Sequence, residues 1–221
     1  MDNKVLIVVG AGPGVGASVA RRFGRAGYDV ALIARSPDFL EALGTELQES
    51  GVTTGWTPVD IADAESLTAA IERFGRHLGH VDALHFNPSV FRQRDPLNLG
   101  PAELLADVNV GVASLLTAVQ AARAFMPRGG RITATGSIAA DRPWHEACSL
   151  GVQKAALRNL VISLDRTLAP EGIRAMSLTV KGVLAQDSPF SPFSPERVAE
   201  AIHAATLTPE AEWRSEVPFE G

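Results

Sequence analysis

Short β-branched runs alternate with helix-period segments along almost the whole chain. Val5-Leu6-Ile7-Val8-Val9 lacks polar alternation, as expected of a parallel strand buried on both faces. Val15, Val19 and Phe23 follow at i, i+4 and i+8, one face of a helix that Gly27 ends. Val30–Ala34 reads as a second strand, and Phe39, Leu40, Leu43 and Leu47 as the next helical stripe, stopped at Gly51. The same patterning predicts strands at 53–59, 81–86, 131–135 and 174–180, with helices at 63–79, 101–126 and 147–169. Six strands separated by helices imply right-handed crossovers and a doubly wound parallel sheet. The expected fold is therefore α/β and Rossmann-like, in a single domain over residues 1–221. Residues 215–221 offer a seventh strand at an edge. Gln186–Pro195 carries three prolines and no period. It reads as a plain connector or, within 183–195, as a substrate loop bordering the ligand crevice.

Composition narrows the function classes. At 221 residues, 46% hydrophobic and 20% charged, the chain is long and apolar enough to bury a core unaided. Its net charge of −5 argues against a phosphate-tracking grip on nucleic acid. The lone Cys148 excludes an intramolecular disulfide framework and any multi-cysteine metal site, which suits a reducing, cytoplasmic setting. The uncharged runs Val5–Ala20 and Val108–Ala122 fall short of the ~20 residues that a membrane span needs, and Val5–Val9 is too short for a signal peptide's apolar region. The expected partner is a small molecule.

Gly10-Ala11-Gly12-Pro13-Gly14-Val15-Gly16 links the first strand to the first helix. Glycines there allow a tight turn and a close approach of backbone amides to a pyrophosphate lying on the helix N-terminus. The end of the second strand selects between dinucleotides. An acid at that point binds the ribose 2′-hydroxyl of NAD, but here Ala34 is followed by Arg35, whose guanidinium suits a 2′-phosphate. The expected cofactor is NADP, with NAD less favoured.

With these motifs in place, the sequence resembles the short-chain dehydrogenase/reductase family over essentially its full length. The Gly10, Gly14 and Gly16 spacing is similar to that family's, although Val9 stands where a threonine is usual. Asp60, followed by Ile61, falls where the family contacts adenine. Asn87 is what survives of an Asn-Asn-Ala-Gly segment lining the cofactor. Asn109 resembles the helix asparagine that orders a proton-relay water, although a buried asparagine with a local helical bond fits equally. Ser137, closing Arg131-Ile132-Thr133-Ala134-Thr135-Gly136, matches the catalytic serine, and Lys154 the catalytic lysine that grips the nicotinamide ribose. The resemblance implies hydride transfer between NADP(H) and a carbonyl/alcohol pair, and a homodimer or homotetramer joined through the helices at 101–126 and 147–169.

One departure bears on the chemistry. The family's tyrosine should stand four residues before the lysine, where this chain has Leu150, and its one tyrosine is Tyr28 in the second strand. Leucine does no acid or base work. Within 141–149, His145 is the best substitute by ordinary pKa, with Cys148 and Ser149 as others; Lys154 itself could act if desolvated. Two readings follow: an oxidoreductase with an atypical proton relay, or a nucleotide-binding protein that lost its chemistry and serves as a sensor or assembly subunit.

Overall fold

The computed structural model describes residues 3–185, 188 and 190–221. Seven strands form one all-parallel sheet: β1 (Lys4–Val9), β2 (Tyr28–Ala34), β3 (Thr54–Pro58), β4 (Ala83–Phe86), β5 (Arg131–Ser137), β6 (Arg174–Val180) and β7 (Glu216–Phe219). Their spatial order is β3-β2-β1-β4-β5-β6-β7. The order reverses between β1 and β4, so the ligand crevice of such a sheet opens at the carboxyl ends of those two strands. The tail strand expected at the edge is β7, parallel to β6.

Two layers of helices follow from the strand alternation. Ile7 and Val9 join a core under α3 (Ala64–Leu78), α5 (Ser114–Ala122) and α6 (Cys148–Leu168). Leu6 and Val8 face the opposite core, under α1 (Val15–Arg25), α2 (Pro37–Glu49) and α7 (Pro195–Thr206). Both cores bury their β1 residues almost completely, which is why that strand carries no polar position.

The expected helix at 101–126 is interrupted. It divides into α4 (Pro101–Val108), a π-turn over Asn109–Ala113, and α5. Gly111 sits inside the π-turn, where a Cβ would lie 2.4 Å from the Gln153 side-chain oxygen. Glycine there lets α6 pack close, while Val110, Gly111 and Val112 give a weak local helix. By length and composition alone the run Pro101–Phe125 is apolar enough to cross a membrane. Its Leu115, Ala118, Val119 and Ala122 are nonetheless buried against the sheet.

The loop after β6 folds back on itself. Ala185 N–H donates to Phe193 O at 3.1 Å, and a Cβ on Gly182 would meet the Phe193 ring at 2.4 Å. Phe193 in turn packs edge-on against Phe219 of β7. Gln186, Asp187 and Pro189 of the 183–195 loop lie outside the described residues.

Candidate active site

The turn from β1 into α1 is nearly bare backbone. Gly10 has φ +85°, and the N–H groups of Gly10 and Ala11 both donate to Ile33 O, at 2.8 and 3.0 Å. A Cβ on Gly10 would stand 2.9 Å from the Pro88 ring, and one on Gly16 only 2.2 Å from Gly10 O. Gly14, at φ +96°, opens α1 without any side-chain cap. Gly12 faces open space, Pro13 is exposed, and Val15 is buried as the helix's first anchor. An uncapped helix N-terminus behind a loop with no side chains in the way fits a pyrophosphate.

The corner where the sequence expects the adenosine is formed by β2 and β3. Val59 N–H donates to Ala34 O at 2.8 Å, which brings Asp60 and Arg35 to the same corner of the sheet. Arg35 is exposed and has no ion-pair partner among the described residues. Asp60 is exposed too, with Oδ1 accepting from Ala62 N at 3.1 Å, while Ile61 is buried beneath it.

The other end gathers around β5 and α6. Lys154, 5% exposed, donates from Nζ to Thr135 O at 2.8 Å, and burial pulls its pKa down to about 8. Ser137 lies two residues farther along the same strand. Its Oγ accepts from Ala139 N at 3.2 Å, which leaves the hydroxyl proton free for a substrate oxygen. Leu150 is half-buried one turn before Lys154 on α6, hence on the same helix face. A Cβ on the next residue, Gly151, would lie 3.0 Å from Ala139 O, so this first turn of α6 packs on the segment leaving Ser137. Gln153 grips the loop after β4, with Oε1 accepting from Val90 N at 2.9 Å and Nε2 donating to Val90 O at 3.0 Å.

Two further sequence candidates, Asn109 and His145, make no hydrogen bond to Ser137 or Lys154 among the described residues. Asn109 is exposed, and its amide donates to Ala62 O at 3.1 Å, toward α3. His145 is exposed in a short turn. Lys181 is tied to Asp141 at 2.6 Å, and Asp141 also holds Arg158.

The sequence reading passed over a buried polar chain beneath the glycine loop. His85 Nδ1 lies 2.8 Å from Thr133 Oγ1, and its Nε2 lies 3.4 Å from Thr135 Oγ1. Thr135 Oγ1 donates to Asn87 Oδ1 at 2.8 Å, and Asn87 Nδ2 donates to Gly10 O at 3.2 Å. His85 is fully buried, and desolvation together with the Lys154 charge drives its pKa down to about 3, so the ring is neutral. The signal in the sequence was polar residues within strands otherwise built for full burial: His85 between Leu84 and Phe86, and Thr133 and Thr135 at a spacing of two.

Comparison with known proteins agrees with this geometry. The short chain dehydrogenase family matches residues 4–188. The 2,3-dihydro-2,3-dihydroxybenzoate dehydrogenase of Bacillus subtilis (strain 168) is 26% identical over 209 residues, covering 94% of this chain and 80% of that protein. A cyclic-di-GMP-binding biofilm dispersal mediator protein of Escherichia coli (strain K12) is 33% identical over 175 residues, covering 77% and 69%. The crystal structure of a short chain dehydrogenase from Burkholderia cenocepacia J2315 in complex with NADP superimposes with a TM-score of 0.88 at 26% identity, over 99% of this chain and 96% of that one. With a family match over most of its length, on the same sheet, the chain belongs to the short chain dehydrogenase family of nucleotide-dependent oxidoreductases.

Proposed function

We propose that this protein is an NADP-dependent oxidoreductase that moves hydride between NADP(H) and a carbonyl/alcohol substrate, with Lys154 handling the proton that a tyrosine handles elsewhere in the family. The observation that carries the reading is the pairing of a bare phosphate cradle at Gly10–Gly16 with Lys154 and Ser137 at the far side of the crevice. When bound, the dinucleotide supplies or accepts the hydride. Gly10, Gly12, Pro13, Gly14, Val15 and Gly16 hold the pyrophosphate, Asp60 and Ile61 border the adenine, and Asn87 backs the loop. Ser137 donates its free hydroxyl proton to the substrate oxygen. Lys154 uses one Nζ proton on Thr135 O, leaving two for a ribose hydroxyl and the substrate oxygen. Lys154 is favoured as the proton donor because it is buried on the face of α6 that carries Leu150, whereas the Asn109 amide is spent on Ala62 O and His145 is exposed. Residues 183–195 serve as the substrate loop, and the single cysteine suits work in the cytoplasm.

Arg35 makes the cofactor choice testable. Its guanidinium has no ion-pair partner among the described residues, and Ala34 puts no carboxylate at the end of β2 where an NAD site carries its acid. Arg35→Ala is expected to weaken NADP binding by about tenfold to a hundredfold and to leave NAD binding unchanged, as read by calorimetric titration. Equal wild-type affinities for the two would overturn the NADP assignment.

A second reading, a nucleotide-binding sensor without catalysis, draws on Leu150 and on the relative whose name records cyclic-di-GMP binding. It predicts tight nucleotide binding with no turnover.

The protein is further proposed to pair through α4, α5 and α6. Leu105 is 69% exposed and Val152 45%, and Ala113 and Ala155 are on the surface beside them in sequence. Ala121 and Ala122 on the same stretch are buried against the sheet and take no part in this contact. Light scattering is expected to give a dimer or tetramer mass that Val152→Arg reduces to the monomer. A monomeric wild type at micromolar concentration would refute the pairing.

A further inference from the structure

We propose that His85 is a positioning residue for the phosphate loop, acting on the Gly10 carbonyl through Thr135 and Asn87. The inference rests on the dinucleotide reading above, but the hydrogen-bond chemistry stands without it. Each proton in the chain is fixed by its neighbour, starting from the loop. Gly10 O only accepts, so Asn87 must turn its amide nitrogen toward it, at 3.2 Å. Asn87 Oδ1 then faces Thr135 Oγ1 at 2.8 Å and takes that hydroxyl's single proton. Thr135 Oγ1 can therefore only accept from His85, which must carry its proton on Nε2. The bare Nδ1 is left to accept from the Thr133 hydroxyl at 2.8 Å.

The chain thus runs in one direction, from Thr133 to Gly10, with no buried donor or acceptor left over along it. It ends on a glycine whose carbonyl lies 2.2 Å from where a Gly16 Cβ would stand, so a shift of Gly10 O is felt at the start of α1. Thr135 is its hub: the hydroxyl serves His85 and Asn87, and the carbonyl of the same residue accepts from Lys154. The glycine loop and the lysine at opposite ends of the crevice are thereby held to one point on β5. A purely apolar residue at position 85 would fill the space, but would leave Thr135 Oγ1 without its donor and its hydroxyl less firmly aimed at Asn87 Oδ1, loosening that amide's hold on Gly10 O.

The test separates positioning from plain stability by using a ligand that lacks the pyrophosphate. His85→Val is expected to weaken NADP binding about tenfold while adenosine 2′-monophosphate binding stays within twofold. Asn87→Ala is expected to give a similar loss, and the double variant no more than either single one, because both break the same chain. His85→Gln, whose amide can donate to Thr135 and accept from Thr133, is expected to recover most of the affinity. Additive losses in the double variant, equal losses for both ligands, or no loss of NADP affinity would overturn the proposal. The ring itself gives a check independent of ligand and of variant folding. Nitrogen-15 NMR of wild type is expected to show His85 neutral and protonated on Nε2; a proton on Nδ1 would refute the wiring. Failure of wild type to bind NADP with the Nε2 tautomer present would sink the dinucleotide reading and spare the chain.

Discussion

Leu150→Tyr is expected to raise the reduction of simple ketones or diones by about a hundredfold in kcat/KM, the low end of what a positioned acid contributes. Residue 150 lies one helical turn before Lys154, and the first turn of α6 packs on the segment that follows Ser137. A phenol at this position would stand between the free Ser137 hydroxyl and the Lys154 ammonium. The ammonium would lower the phenol's pKa, readying it to pass a proton. Enlarging a packed position commonly costs about 1–3 kcal/mol. Leu150 is only half-buried, which leaves the ring a route toward the crevice. The check is steady-state kinetics with NADPH on wild type and variant, after confirming equal NADPH affinity. A variant that folds and binds NADPH normally but turns over no faster would show that the position does not face the reacting oxygen.

Lys154→Met is expected to lower turnover at least a hundredfold while making the protein more stable at neutral pH. The buried ammonium has its pKa drawn from 10.5 to about 8. Between those values the unfolded chain binds a proton that the folded one does not, so stability rises with pH across that window. Below about pH 8 the full cost of burying the charge is present, on the order of 3 kcal/mol. Methionine removes that cost and forfeits the bond to Thr135 O, worth about 1 kcal/mol. A net gain of about 2 kcal/mol should raise Tm by about 4–8 °C near pH 7, and the gain should vanish toward pH 10.5. The catalytic signature runs the other way. Reduction needs the protonated lysine, so its rate should be flat below about pH 8 and fall above it, while alcohol oxidation rises through the same point. Thermal melts across pH check the first effect, and the pH–rate profile checks the second.

The parts of this protein that were legible in sequence are those governed by local spacing. The glycine turn is a run of glycines at fixed offsets, and its position between a β-branched run and a helix face is enough to place it between β1 and α1. The same holds for Ser137 at a strand end and Lys154 four residues beyond Leu150. What escaped the sequence depends on pairing between distant segments. His85 meets Thr133 because β4 and β5 lie side by side in register, a contact 48 residues apart that no local pattern encodes. The π-turn at Asn109–Ala113 turns on how closely Gly111 lets α6 approach. Asn109 takes its orientation from the carbonyl of Ala62, and Lys181 is held by Asp141 across 40 residues. Position along the chain identified Asn109; only the assembled sheet decides which way it and the others face.

The most direct test is NADPH oxidation by the wild-type protein, followed at the nicotinamide absorbance, against a panel of ketones, diones and aldehydes across pH. An oxidoreductase using Lys154 should give slow, saturable turnover with at least one carbonyl class, level below about pH 8 and declining above. Tight NADPH binding with no turnover on any of them, at any pH, would contradict it and leave a protein that holds the nucleotide without using it.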